Sequence, residues 1–92
     1  MNITFDPDKR QTTLEKRGLD MARGGEVFAG ATITVEDDRH DYGETRYISI
    51  GYYSNRMVVL VWTPRDGGRR IISMRKANER EQSVYRPRLG RP

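Results

Sequence analysis

The strongest constraint on this chain lies between Thr45 and Arg75, where three strand-length runs follow one another with only turn residues between them. The first, TRYISIGYYS, alternates, with Tyr47, Ser49, Gly51 and Tyr53 on one face and Arg46, Ile48, Ile50 and Tyr52 on the other. The second, RMVVLVWT, is almost continuously apolar and reads as the buried centre of a sheet. SN joins these two runs, and PRDGG, with Asp66 and Gly67 suited to positive φ, joins the second to a third at about Arg69 to Arg75. Runs linked by such short turns pair antiparallel, so the middle of the chain predicts a meander.

The flanks are helical in pattern. Asn2 to Phe5 alternates as a short edge-like strand, and Asp6 followed by Pro7 supplies an N-cap with proline at the first helical position. The first helix is expected from about Pro7 to Arg17, with Gly18 as its left-handed stop and Leu19 packing back on Leu14. Asp20 caps a shorter helix toward Phe28, although Gly24 and Gly25 each cost it about 1 kcal/mol relative to Ala. Ala31 to Val35 forms a brief strand, and EDDRHDYGE an exposed loop. After the third strand, ANEREQSVYR takes on helical character, Pro87 is expected to stop that helix, and residues 87–92 to form a flexible tail. Helices segregated from strands give an α+β fold: a small antiparallel sheet covered on one face, with N-terminal helices and a C-terminal helix, in one domain over residues 1–92.

A chain of 92 residues buries only about 60–65% of the surface its unfolded form exposes, so its core is small. Charge is unevenly placed. Residues 1–64 hold eight basic and ten acidic side chains, residues 65–92 nine and three, and 14 of the 17 cations are Arg. A basic half on a small chain points to a polyanion or an acidic protein surface as partner. Arg grips phosphate bidentately and stacks on bases, which favours nucleic acid. Without Cys there is neither a disulfide nor a thiolate site, and a single His argues against zinc. No apolar targeting segment opens the chain and no run of 18 apolar residues occurs, so a cytoplasmic location without membrane contact is expected.

The cations concentrate in RRIISMRKANEREQSVYR, residues 69–86, across a strand-to-helix junction. With FDPDKRQTTLEKRG at the start, EVF at 26–28, DRHDYGETRYISIG at 38–51 and VVLVWTPR at 58–65, the order and spacing resemble the BrnT family of bacterial type II toxins. The resemblance covers Phe5 to about Tyr85. It implies a RelE-like ribonuclease that needs no cofactor or metal, cleaves RNA and so arrests translation and growth. It further implies neutralisation by a BrnA-like ribbon-helix-helix antitoxin, commonly as two toxins on an antitoxin dimer, with operator DNA reached only through the antitoxin. The chain departs from the family pattern at Thr13, where relatives commonly carry Asn, at Arg17, where they carry His, and at Phe5, where Trp is frequent.

A ribonuclease without metal has to deprotonate the 2′-hydroxyl, stabilise the phosphate charge and protonate the leaving oxygen. Strand ends favour a cluster of Arg46, Arg65 and Arg69 or Arg70; the resemblance favours Arg75, at the far end of the third strand. His40 and Glu44 are the candidates for proton transfer, against readings in which His40 is an exposed loop histidine and Glu44 a solvated loop charge paired with a neighbouring Arg. Tyr85 shares a helix face with Ala77 and Glu81, either as an active-site phenol or packed on the sheet with its hydroxyl tied to Glu81. Lys9, Lys16 and Arg80 are candidates for RNA contact, and Trp62 reads as core before base-stacking platform. The alternative function is a catalytically inactive module that binds RNA or antitoxin.

Overall fold

The computed structural model describes residues 2–91. Along the chain lie β1 (Ile3–Phe5), α1 (Pro7–Arg17), a 3-10 turn (Met21–Arg23) running into α2 (Gly24–Ala29), β2 (Ile33–Glu36), β3 (Tyr47–Tyr53), β4 (Arg56–Arg65), β5 (Gly68–Lys76) and α3 (Glu79–Leu89). The fold is α+β, with one five-stranded sheet in the order β1-β5-β4-β3-β2. β2 to β5 form the expected antiparallel pairs. Ser54 turns the first hairpin at φ 55°, and Asp66 with Gly67 turns the second at φ 53° and 75°. β1 pairs parallel to β5, so the sheet is mixed rather than antiparallel throughout. Gly68 permits this close approach: a Cβ there would stand 2.3 Å from the Asn2 carbonyl oxygen.

The local signals at α1 act as the sequence suggests. Asp6 accepts hydrogen bonds from the Asp8 and Lys9 amides (2.8 and 3.4 Å), and Gly18 closes the helix at φ 68°. Leu19 enters the core completely instead of returning to Leu14, which remains 37% exposed. Asp20 caps the 3-10 turn through the Ala22 amide and also holds Arg10 at 2.7 and 3.0 Å. Gly24 of α2 is required by packing: a Cβ there would lie 2.2 Å from Ile71 Cδ1.

The N-terminal helices cover one face of the sheet and α3 covers part of the other, where one covered face was expected. Leu19, Met21 and Val27 pack on Val58, Leu60, Ile71 and Met74 on one side. On the other, Tyr85 and Leu89 of α3 pack on Ile50, Met57, Val59 and Ala77. The continuously apolar run Met57–Leu60 supplies side chains to both cores, which is why β4 lacks alternation. Asn78 and Glu81 form a capping box at the start of α3. That helix passes through Pro87 to Leu89, correcting the expected stop. In the last turn the proline forfeits a single backbone hydrogen bond, while Leu89 packs on the core and the Tyr52 hydroxyl donates to the Gly90 carbonyl. Of the expected tail, Pro92 lies outside the described residues.

Candidate nucleic-acid interface

A β-bulge decides which cations share a face. Val61 pairs with Ser73 but Trp62 pairs with Ile71, so Ile72 is an extra residue in β5. Directly opposed residues of an antiparallel pair project to the same side. Arg75 therefore lies with Val59 and Ile50 on the α3 side, and Arg70 lies with Thr63, two residues beyond Val61, on that same side. Simple alternation would have put Arg70 and Arg75 on opposite faces. Arg69 goes to the other side, where its guanidinium stacks on Phe28 (4.1 Å) and Trp62 (4.9 Å). Of the two expected candidates at the start of β5, Arg70 joins the cluster and Arg69 does not.

At the β3-start and β4-end corner, Lys9, Glu44, Arg46, Thr63, Arg65 and Arg70 line one small recess. Glu44 lies between two arginines, 3.0 Å from Arg46 Nε and 3.9 Å from Arg65 Nη2. Arg46 also covers the Tyr42 ring at 4.1 Å, against which His40 packs edge-on at 5.7 Å. The recess collects four cations against the carboxylates of Glu44 and Asp6, and Asp6 is occupied as the α1 cap. Its surplus positive charge suits a phosphate.

Arg75 occupies a separate recess on the same face, lined also by Arg39, Ser73, Glu81 and Tyr85 over a floor that includes Val59. Glu81 accepts from both Arg75 Nη1 and Nη2 at 2.8 Å, and this pairing pushes its carboxyl down to about 2 while it raises the Arg75 guanidinium. Because the folded-state value is depressed below 4.5, this pair stabilises the protein above that pH and the contribution is lost as pH falls toward 2. Thermal melts of wild type and Glu81→Gln are expected to converge over that window, the difference between them shrinking as acid is added.

The neighbouring loop has its own anchor. The Asp37 carboxylate is 1% exposed, accepts from Arg39 Nε and Nη2 (2.7 and 2.8 Å) and from the Tyr42 hydroxyl (3.1 Å), and Arg39 holds it well below the usual carboxylate range. The Asp37 amide donates to the Arg46 carbonyl at 2.8 Å, closing the loop. Asp37, Arg39, Tyr42 and Ser73 escaped the sequence reading. DDRHDYGE looks uniformly solvated, and nothing in it reveals that one aspartate is buried.

The remaining candidates fall as follows. Lys16 lines a groove between α1 and β5 with Lys9 and Arg17. Arg80 is exposed on the first turn of α3 and lines neither arginine recess. Tyr85 packs on the sheet, and among the described residues its hydroxyl makes no hydrogen bond to Glu81. Trp62 is half-buried between Phe28 and Tyr47 and donates to Ser49 Oγ at 2.8 Å, which accords with a packing role. Thr13 is buried, and Arg17 Nη1 donates to the Met74 carbonyl at 2.8 Å, capping β5 beyond the reach of β1.

A small α+β fold that gathers arginines onto one open sheet face is the frame of a nucleic-acid-directed protein. Residues 5–81 match the family model described as the ribonuclease toxin BrnT of type II toxin-antitoxin systems. The chain belongs to the BrnT family, whose activity is ribonucleolytic and whose setting implies an RNA target and an antitoxin partner. No curated protein matches the sequence. Among the described residues no helix is long and apolar enough to cross a membrane.

Proposed function

We propose that the protein is a metal-independent endoribonuclease that cuts mRNA at the recess of Lys9, Glu44, Arg46, Arg65 and Arg70, arresting translation and growth. The observation that carries this reading is Glu44 held between Arg46 and Arg65, a carboxylate beside surplus cations at an open sheet corner. Glu44 takes the proton of a 2′-hydroxyl as its oxygen attacks the adjacent phosphorus. Arg65 and Arg70 hold the non-bridging oxygens where charge develops. The bond from phosphorus to the 5′-oxygen breaks, and His40, on the same loop as Glu44, returns a proton to that leaving oxygen. The products are a 2′,3′-cyclic phosphate and a 5′-hydroxyl. Arg75, paired with Glu81, holds the RNA farther along the face, and Lys16 and Arg80 add peripheral contacts.

A BrnA-like ribbon-helix-helix antitoxin neutralises the toxin by covering this basic face, with two toxins on one antitoxin dimer and operator DNA contacted through the antitoxin alone. A second reading, an inactive binding module of the same fold, is favoured by one observation: the guanidinium of Arg17, at the position where the resemblance implies His, is engaged by the Met74 carbonyl. Purified protein incubated with RNA in EDTA separates the two. Cleavage to cyclic-phosphate ends is expected; intact RNA with a folded sample selects the binding module.

A further inference from the structure

Resting on that reading of the protein as an RNA endonuclease, we propose that the recess between Arg39 and Tyr85 takes one unstacked nucleobase of the substrate and sets sequence preference. The two recesses of the α3-side face differ in charge. At the corner, four cations outnumber two carboxylates. Here Arg39 is paired with Asp37 and Arg75 with Glu81, so the site is electrically compensated. A phosphate gains most at the corner, and a neutral group with hydrogen-bonding edges suits the compensated recess.

Its shape and lining agree. The cavity is about 310 Å³, at the low end of the range of about 300–1,000 Å³ for small-ligand sites. Ile48, Val59 and Val61 provide an apolar floor, and the Tyr85 ring and two guanidinium planes are surfaces on which bases stack. Among the described residues, Arg39 Nη1, Ser73 Oγ and the Tyr85 hydroxyl make no hydrogen bonds and are available to read a base edge.

The reading groups are also held in place. Asp37, with its side chain 1% exposed, fixes Arg39 by two hydrogen bonds, and Glu81 fixes Arg75 by two more while capping α3. Rigid donors discriminate because a wrong base leaves them unpaired rather than letting them adapt. The bulge at Ile72 puts this recess and the cationic corner on one continuous face, with Arg70 and Arg75 opposite Thr63 and Val59, which lie four residues, or about 13 Å, apart along β4. An RNA strand crossing that face would present a base to the recess at a fixed offset from the cut bond.

The test maps cleavage sites in a randomised RNA pool for wild type, Arg39→Ala and Ser73→Ala, and measures RNA affinity against salt. Arg39→Ala also removes the partner of the buried Asp37 carboxylate, so circular dichroism controls for folding, and Ser73→Ala, which breaks no ion pair, tests the same recess independently. Wild type is expected to prefer one base at a fixed offset, and both variants to relax that preference by about tenfold. The salt slope of binding is expected to stay unchanged in Arg39→Ala, whereas removal of a phosphate-binding cation would reduce it by about 0.7. Unaltered base preference, or a reduced slope in Arg39→Ala, overturns the proposal while leaving the endonuclease reading standing. Unaltered preference with weakened antitoxin binding overturns it in favour of a protein-docking site. Failure of wild type to bind or cut any RNA overturns both readings.

Discussion

Arg70→Ala is expected to lower the rate of RNA cleavage by on the order of 10²–10³, the loss typical when one preorganised donor is removed from a developing phosphate charge. Arg70 is half-buried on the sheet beside Thr63, so its position is set by strand pairing and not by a flexible loop. Arg65, the last residue of β4 opposite Gly68, is 50% exposed, and Arg65→Ala is expected to cost less because water and neighbouring cations compensate. Each variant is expected to reduce the salt slope of RNA binding by about 0.7, the share of one phosphate that is no longer neutralised. Cleavage of a fluorogenic RNA in EDTA, with circular dichroism as the control for folding, checks the rates. A rate for Arg70→Ala within about threefold of wild type, far short of the expected loss, would remove the corner recess from the chemistry.

Leu60→Ala is expected to have the largest effect on stability. Leu60 is completely buried in the central strand, and deleting its branch costs about 2–5 kcal/mol once the residual cavity is included. For a chain of this size each kcal/mol lowers Tm by about 4–8 °C. Val84, 53% exposed on α3, is the matched control, and Val84→Ala is expected to change stability by less than about 0.5 kcal/mol. Chemical denaturation of the two variants measures both. Equal effects would mean that the core between the sheet and the N-terminal helices does not carry the fold.

Local signals explain most of the architecture. Asp6 with Pro7, Gly18, Asn78 with Glu81, and the two hairpin turns each act through a few adjacent residues, and each sits where its chemistry predicts. Features that rest on distant residues were harder to read. The expected end of α3 at Pro87 failed because Leu89 and Gly90 are held by the sheet core and by Tyr52, contacts invisible in a local window. The apolar residues on both sides of β4 signal packing on both faces, but that Tyr85 and Leu89 of α3 supply the second cover rests on contacts between distant residues.

The candidate interface divides in the same way. Arg46 and Arg65 could be brought together from strand ends alone, since the start of β3 and the end of β4 meet wherever the two form a hairpin, whereas the position of Glu44 between them came from the structure. The choice between Arg69 and Arg70, and the placement of Arg75 on the same face as Arg70, depend on one extra residue in β5. A bulge leaves no mark in hydrophobic periodicity when its neighbours, Ile71 and Ile72, are both apolar. The buried Asp37 is similar: among four acidic residues of a polar loop, only the closed backbone of residues 37–46 selects the one that loses water and holds Arg39. The elements, their antiparallel core and the cationic character of the chain were thus legible from residue order, because they follow from nearest-neighbour chemistry. Which arginines face one another became visible in the folded sheet, because a single bulge reverses the side to which a strand's residues point.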